Sequence, residues 1–191
     1  MAPPTFIVGI GGSAGALAAY KELLDALSPQ TGMAFVIVAH LLPNASSQLA
    51  LILARHTKMK VMVATPGITI RRNHVYVIPP DADLRMAGGA LEVISPRSGR
   101  NKQIDLFFGS LAESMGTQAI GVIVSGYDGD GTEGCKQIKE RGGTTFSQDD
   151  SAEVTDMAQN AQTSGNIDFV LSPAKIADEL QRIANATVAR P

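Results

Sequence analysis

Phe6-Ile7-Val8-Gly9-Ile10-Gly11-Gly12-Ser13-Ala14-Gly15-Ala16-Leu17-Ala18-Ala19-Tyr20 is the stretch whose reading decides the fold. Phe6–Ile10 is an apolar run with no polar alternation, which predicts a strand buried on both faces. The run breaks on glycines. From Gly15 to Leu27 the spacing turns helical, with Leu17, Tyr20, Leu24 and Leu27 on one side. A buried strand, a glycine turn and a helix make the opening unit of a layered α/β domain.

The same alternation runs outward from there. Ala34–Val38 predicts a second buried strand. Ser46–Thr57 predicts a helix opening on serines that can cap it. Lys60–Ala64 and His74–Ile78 read as strands, the latter closed by Pro79-Pro80. Leu84–Ala87 and Leu91–Ile94 flank Gly88-Gly89 and read as a hairpin. Ser95–Lys102, with Arg97, Arg100 and Lys102, reads as a solvated surface loop with the chemistry to meet an acidic partner.

Ile104–Met115 is an amphipathic helix, Ala119–Val124 a buried strand, and Ser125–Gly131 a glycine-rich turn. Thr132–Arg141 reads as helix, Thr144–Ser147 as strand and Glu153–Thr163 as helix. Phe169–Leu171 is the last strand. Pro173–Ala184 is the last helix, with Pro at its first turn, and Asn185–Pro191 is expected to fray. The expected fold is α/β: three layers, doubly wound, a mainly parallel sheet with helices on both faces and a small antiparallel hairpin.

Composition fits one domain over residues 1–191, with its core at about 6–184. The chain has 191 residues and is 45% hydrophobic, but only 5% aromatic and without Trp, so the core must be aliphatic. The net charge is −2 and no basic run stands out, which argues against nucleic acid as a partner. Cys135 is the single cysteine, so it forms neither an internal disulfide nor, alone, a zinc site. The first residues lack a signal-peptide pattern, and no apolar run approaches the ~20 residues of a membrane span. These features predict a cytoplasmic protein without membrane insertion. The two glycosylation sequons, at Asn44 and Asn185, read as chance.

In such sheets the site lies past the carboxyl ends of the strands. Three reactive residues fall there: Ser13 after Ile10, His40 after Val38, and Asp130 after Val124. They are a nucleophile, a base and an acid able to orient the base. The helix start behind Ser13 supplies free N–H groups and a partial positive charge, suited to an oxyanion. A phosphate-binding turn at a helix N-terminus fits the glycines equally well. The absence of a Gly-Lys-Ser/Thr ending weighs against a P-loop. Two aspartates compete in the later turn, Asp128 and Asp130, and local logic does not choose between them. His56 and His74 read as structural or exposed, and Cys135 as a buried inert thiol.

Taken in order, several segments resemble the catalytic domain of the chemotaxis receptor methylesterases (CheB). They are Gly9–Ala16, Ala39-His40-Leu41-Leu42-Pro43, Asn73–Pro80, Ile104-Asp105-Leu106-Phe107-Phe108, Ser125–Gly134, Gln148-Asp149 and Asp168–Leu171. The resemblance covers about Phe6 to Leu180.

It implies a serine esterase that hydrolyses glutamate γ-methyl esters on receptor cytoplasmic helices and deamidates some receptor glutamines, with no metal or organic cofactor. It places the triad on Ser13, His40 and Asp130, the pattern Gly126 to Gly131 selecting Asp130 over Asp128. It places oxyanion and turn support on Gly12, Ala14 and Tyr127. A receiver or methyltransferase domain in a longer protein is the expected regulatory partner.

Three departures stand against it. Ala14 replaces a common Thr, Tyr127 a common Met, and Asp156-Met157-Ala158 a Gly-Met-Pro. The rival expectation is a non-catalytic, anion-binding or interaction module of a sensory protein on the same fold.

Overall fold

The computed structural model describes residues 3–41 and 48–188. Seven parallel strands form the main sheet, in the order β10-β9-β8-β1-β2-β5-β3. They are β1 (Ile7–Gly12), β2 (Ala34–Ala39), β3 (Lys60–Val63), β5 (His74–Val77), β8 (Ala119–Ile123), β9 (Thr144–Gln148) and β10 (Phe169–Leu171). A smaller antiparallel sheet has the order β4-β7-β6, from β4 (Ile68–Thr69), β6 (Asp83–Ala87) and β7 (Ala90–Ile94). The helices are α1 (Ala16–Ala26), α2 (Leu49–Leu53), α3 (Gln103–Met115), α4 (Thr132–Glu140), α5 (Asp156–Thr163) and α6 (Pro173–Val188). The expected doubly wound fold is present. No described helix is long and apolar enough to cross a membrane.

The apolar strands split their side chains between two cores with period 2. Val8, Ile10, Phe35, Ile37, Val75 and Val122 share one core with Leu23 and Leu24 of α1 and Ile176 and Leu180 of α6. Ile7, Val36, Val38, Tyr76 and Ile123 share the other with Ile104, Phe107, Phe108 and Leu111 of α3. Both faces are therefore covered, as continuous apolar strands require.

β1 runs two residues beyond the apolar reading. Gly11 pairs with both Val38 and Ile123, and Gly12 with Ala39. A side chain at Gly11 would put its Cβ 2.5 Å from Ile104 Cγ2. Its absence lets the first turn of α3 lie against the end of β1.

Other boundaries shift for local reasons. β4 is only two residues long, too short for a hydrophobic period to reveal. The second helix is shorter than expected, Leu49–Leu53, and its proposed serine caps Ser46 and Ser47 lie outside the described residues. The frayed tail is corrected as far as residue 188: Ala184 is buried against the α1 side of the sheet and the helix continues to Val188.

β1 is the centre of the topology. The chain leaves it toward β2, β5 and β3, then returns to β8 on its other flank. That reversal opens a crevice past the carboxyl end of β1, the usual site position in such sheets.

Candidate active site

Ser13 is the first residue after β1, and its N–H donates to Ser125 O at 2.9 Å. On the other flank, His40 N–H donates to Gly12 O at 3.3 Å. Because Gly12 pairs with Ala39, Ser13 and His40 are the next residues of the same parallel register. Their backbones are therefore about one strand spacing apart, ~4.8 Å. Gly15, in the left-handed region with φ 73°, then turns the chain into α1.

Asp130 comes from the loop between β8 and α4. Its Oδ2 lies 2.6 Å from His40 Nε2. The same carboxylate accepts Ile104 N–H on Oδ2 at 3.0 Å and Asp105 N–H on Oδ1 at 2.9 Å. Those are first-turn donors of α3, so the helix end both binds and orients the carboxylate. The Asp130 side chain is fully buried, and that of His40 is 8% exposed. A carboxylate only accepts, so Nε2 carries the proton and Nδ1 is the basic nitrogen of neutral His40. Asp128 lies on that side, its Oδ2 4.0 Å from Nδ1. The ambiguity between the two aspartates thus resolves into two different positions around one imidazole.

No hydrogen bond joins Ser13 Oγ to His40 among the described residues. Catalytic hydrogen bonds are commonly long without substrate and tighten in the working complex. Ser13 Cβ packs against Gly126, where an added Cβ would sit 2.9 Å from it and 2.8 Å from Met157 Cε. The backbone N–H groups of Ala14 and Tyr127 donate to no acceptor among the described residues. Gly12 instead spends its carbonyl on His40, in a turn-supporting place. Tyr127 is 59% exposed, so a contribution from this position rests on its backbone.

Three groups essential to this geometry lie in segments that carry the resemblance but were not singled out as site residues. Asp105 Oδ1 accepts Gly131 N–H at 2.9 Å and Gly134 N–H at 2.8 Å. Asp105 therefore caps α4 while Asp130 caps α3, a reciprocal exchange that ties the Asp130 loop to α3. Burial, then the neighbouring Asp130 and Glu133 carboxylates, push the Asp105 carboxyl above its ordinary range against the pull of the two N–H donors. Ser125 donates from Oγ to Ala14 O at 2.7 Å and accepts Val154 N–H at 2.9 Å. Gln148 Oε1 accepts Ser125 N–H at 3.0 Å, fixing the wall behind Ser13. An Asp in the first turn of a helix was visible, but its partner loop was not.

The loop Ser95–Lys102 lies at the surface as expected, but it is tied down. Ser98 donates from N and Oγ to Asp83 Oδ2 at 2.7 and 2.6 Å, and Asn101 Nδ2 donates to Asp128 Oδ2 at 2.7 Å. The loop is anchored and reaches the site edge. His56 pairs with Asp25 at 2.9 Å, and His74 stacks on Tyr76 at 6.2 Å between ring centroids, each away from the strand ends that hold Ser13 and His40. Cys135 is fully buried, and burial followed by the Asp105 and Asp168 charges pushes its thiol far up, as expected of an inert thiol. The described residues hold no group of three or more His, Cys, Asp or Glu placed to bind a metal ion.

The CheB methylesterase family profile matches residues 8–180. A Leptospira interrogans protein is 34% identical over 178 residues, covering 91% of this chain and 92% of its own length. Its name provisionally gives protein-glutamate methylesterase/protein-glutamine glutaminase. The Caulobacter vibrioides protein-glutamate methylesterase/protein-glutamine glutaminase 1 is 30% identical over 191 residues, covering 96% of this chain and 55% of its own. The chain thus spans about half the length of that relative. The crystal structure of the Thermotoga maritima CheB methylesterase catalytic domain superposes with a TM-score of 0.85 at 26% identity, covering 96% of this chain and all of that one.

Proposed function

The chain belongs to the CheB methylesterase family, and from that premise we propose that it hydrolyses glutamate γ-methyl esters on chemoreceptor-like signalling proteins with Ser13, His40 and Asp130 as its triad. Relatives carrying the double name methylesterase/glutaminase support a second reaction at the same site, deamidation of receptor glutamines. The observation that carries the triad is the 2.6 Å contact of His40 Nε2 with the buried Asp130, at the strand end where the register sets Ser13 beside His40.

The mechanism follows from the tautomer. His40 Nδ1 takes the Ser13 hydroxyl proton as Oγ bonds to the ester carbonyl carbon. Asp130 keeps the imidazole oriented and offsets the positive charge that forms on it. The carbonyl oxygen, now an anion, sits against the N–H groups of Ala14 and Tyr127; one such donor is worth roughly 10²–10³ in rate. Collapse breaks the bond to methoxide, which leaves as methanol with the proton from Nδ1. Water then gives its proton to Nδ1, attacks the acyl carbon and restores Ser13 and the glutamate carboxylate. With a glutamine substrate, ammonia leaves in place of methanol.

The rival anion-binding module fits less well. Glu153 packs against the glycine turn, its Cβ 2.8 Å from where a Gly15 Cβ would be. A carboxylate beside the turn disfavours a permanently bound anion and suits a neutral ester or amide.

The expected partner is a methylated receptor helix in the cytoplasm, with a receiver or methyltransferase domain regulating the site. Incubation of methylated receptor fragments with wild type and Ser13→Ala tests the reading. Methanol release by wild type, abolished in the variant, supports it. No release by wild type sinks it.

A further inference from the structure

Asp128 is a second carboxylate at His40 that the triad does not use. It stands on the side of Nδ1, at 4.0 Å, opposite Asp130 at 2.6 Å. Its backbone is left-handed, φ 69°, a conformation uncommon outside glycine and best tolerated by Asp and Asn. Hydrogen bonds hold it there: Asp130 N–H donates to its Oδ1 at 3.0 Å, Asn101 Nδ2 to its Oδ2 at 2.7 Å, and Asn160 Nδ2 to its carbonyl at 2.8 Å. Asn101 is itself left-handed, φ 53°. Two left-handed non-glycine residues from separate loops thus meet side chain to side chain beside the reacting nitrogen. Backbone strain that the surroundings enforce in this way marks a functional place.

Given the triad reading on which this rests, we propose that Asp128 is a positioning residue for the proton transfer, the counter-charge on the Nδ1 side that stabilises the imidazolium formed when Ser13 gives up its proton, with Asn101 as its clamp. Nδ1 is where the positive charge develops, and Asp130 already occupies the other nitrogen. Asp128 is part-exposed, its side chain 31% accessible, so solvent screens the interaction without removing it.

The other charges facing His40 are few. Arg97 donates to Leu41 O at 3.4 Å and lies 3.8 Å from Asp81, which offsets it. Asp105 acts from α3 through Asp130, and Glu153 lies across the turn. Lys102 stands at the start of α3. Residues 42–47 contain no ionisable side chain. Among the described residues, Asp128 is thus the carboxylate on the Nδ1 side, 4.0 Å from the proton's destination.

The test compares wild type, Asp128→Asn and Asn101→Ala. Asn tolerates the left-handed backbone and keeps one oxygen for the Asp130 N–H, so the turn survives while the charge and the acceptor for Asn101 go. For Asp128→Asn the expected result is a kcat three- to tenfold lower at the plateau, KM within twofold, and an acid limb of the pH–rate profile displaced to lower pH, because the imidazolium loses a stabilising partner. Asn101→Ala shifts the profile the same way by less.

Nitrogen NMR of His40 reads the same effect without turnover. The doubly protonated signal should disappear at lower pH in Asp128→Asn than in wild type. An unmoved acid limb with unmoved His40 spectra overturns the role of Asp128, even if kcat falls. Spectra that move while wild type releases no methanol keep Asp128 as a partner of His40 and refute the esterase reading instead.

Discussion

Replacing Asp105 separates what this carboxylate does as an acceptor from what it does as a charge. Its Oδ1 takes both the Gly131 and the Gly134 N–H, at 2.9 and 2.8 Å. Asp105→Ala leaves both donors at the start of α4 without a partner. A lost helix cap costs about 0.5–2 kcal/mol, and each buried donor left unpaired about 1–3 kcal/mol. The two estimates meet at about 2 kcal/mol, or roughly 4–8 °C in Tm for a chain of this size.

Asp105→Asn keeps an oxygen in the same place and removes the charge beside Asp130. Because burial holds the Asp105 carboxyl above its ordinary range, the folded state binds this proton more tightly than the unfolded chain does. That stabilisation is full below the unfolded value and is lost as pH rises through the folded one. The Asn variant does not lose it, so its Tm should gain on wild type as pH rises through and above the ordinary carboxylate range. Differential scanning calorimetry across that range measures both effects. If Asn is as unstable as Ala, or its difference from wild type shrinks as pH rises, the acceptor argument is wrong. Because the Gly131 bond steadies the Asp130 loop, Asp105→Ala should also lower kcat.

Other perturbations test neighbouring parts of the structure. Gly126→Ala puts a Cβ 2.8 Å from Met157 Cε and 2.9 Å from Ser13 Cβ; methanol-release kinetics should show at least a tenfold fall in kcat, with a stability loss of about 1–3 kcal/mol by urea unfolding. Tyr127→Ala should change kcat by less than about fivefold, since an exposed ring is removed and the backbone N–H kept; a loss of 10²-fold would assign the ring itself a role. Burial alone would raise the Asp168 carboxyl, but its bonds to the Lys139 ammonium and to the Thr145 N–H and hydroxyl hold it below the ordinary range. A depressed carboxylate stabilises the fold above its unfolded value and stops doing so as pH falls through the folded one. Asp168→Asn should therefore cost up to about 1 kcal/mol at pH 7, and thermal melts should show the gap closing as pH falls below the ordinary carboxylate range.

The fold was legible because its strands are apolar throughout. Phe6–Ile10, Ala34–Val38 and Ala119–Val124 have no polar face, and a strand buried on both sides needs helices on both sides. The positions of Ser13 and His40 past strand ends followed from the same runs. What stayed hidden was the partnering between distant loops. Asp105 looks like any acid in the first turn of an amphipathic helix, since the glycines it caps are 26 and 29 residues away. Asn101 sits in a charged, polar loop whose composition fits solvent equally well, and only its bond to Asp128 places it at the site. The resemblance selected Asp130 over Asp128, but the physical reason needed α3, because two of its N–H groups hold the Asp130 carboxylate against His40. β4 was missed because two residues paired to β7 carry no period to detect.

The most direct test of the account is a rapid-quench reaction with a γ-methyl-glutamyl receptor peptide, followed by mass analysis of the peptide containing Ser13. Wild type should show an acyl adduct equal in mass to the substrate less methanol, located on Ser13 and absent from Ser13→Ala. Methanol release that persists in Ser13→Ala, or an adduct on any other residue, would contradict it.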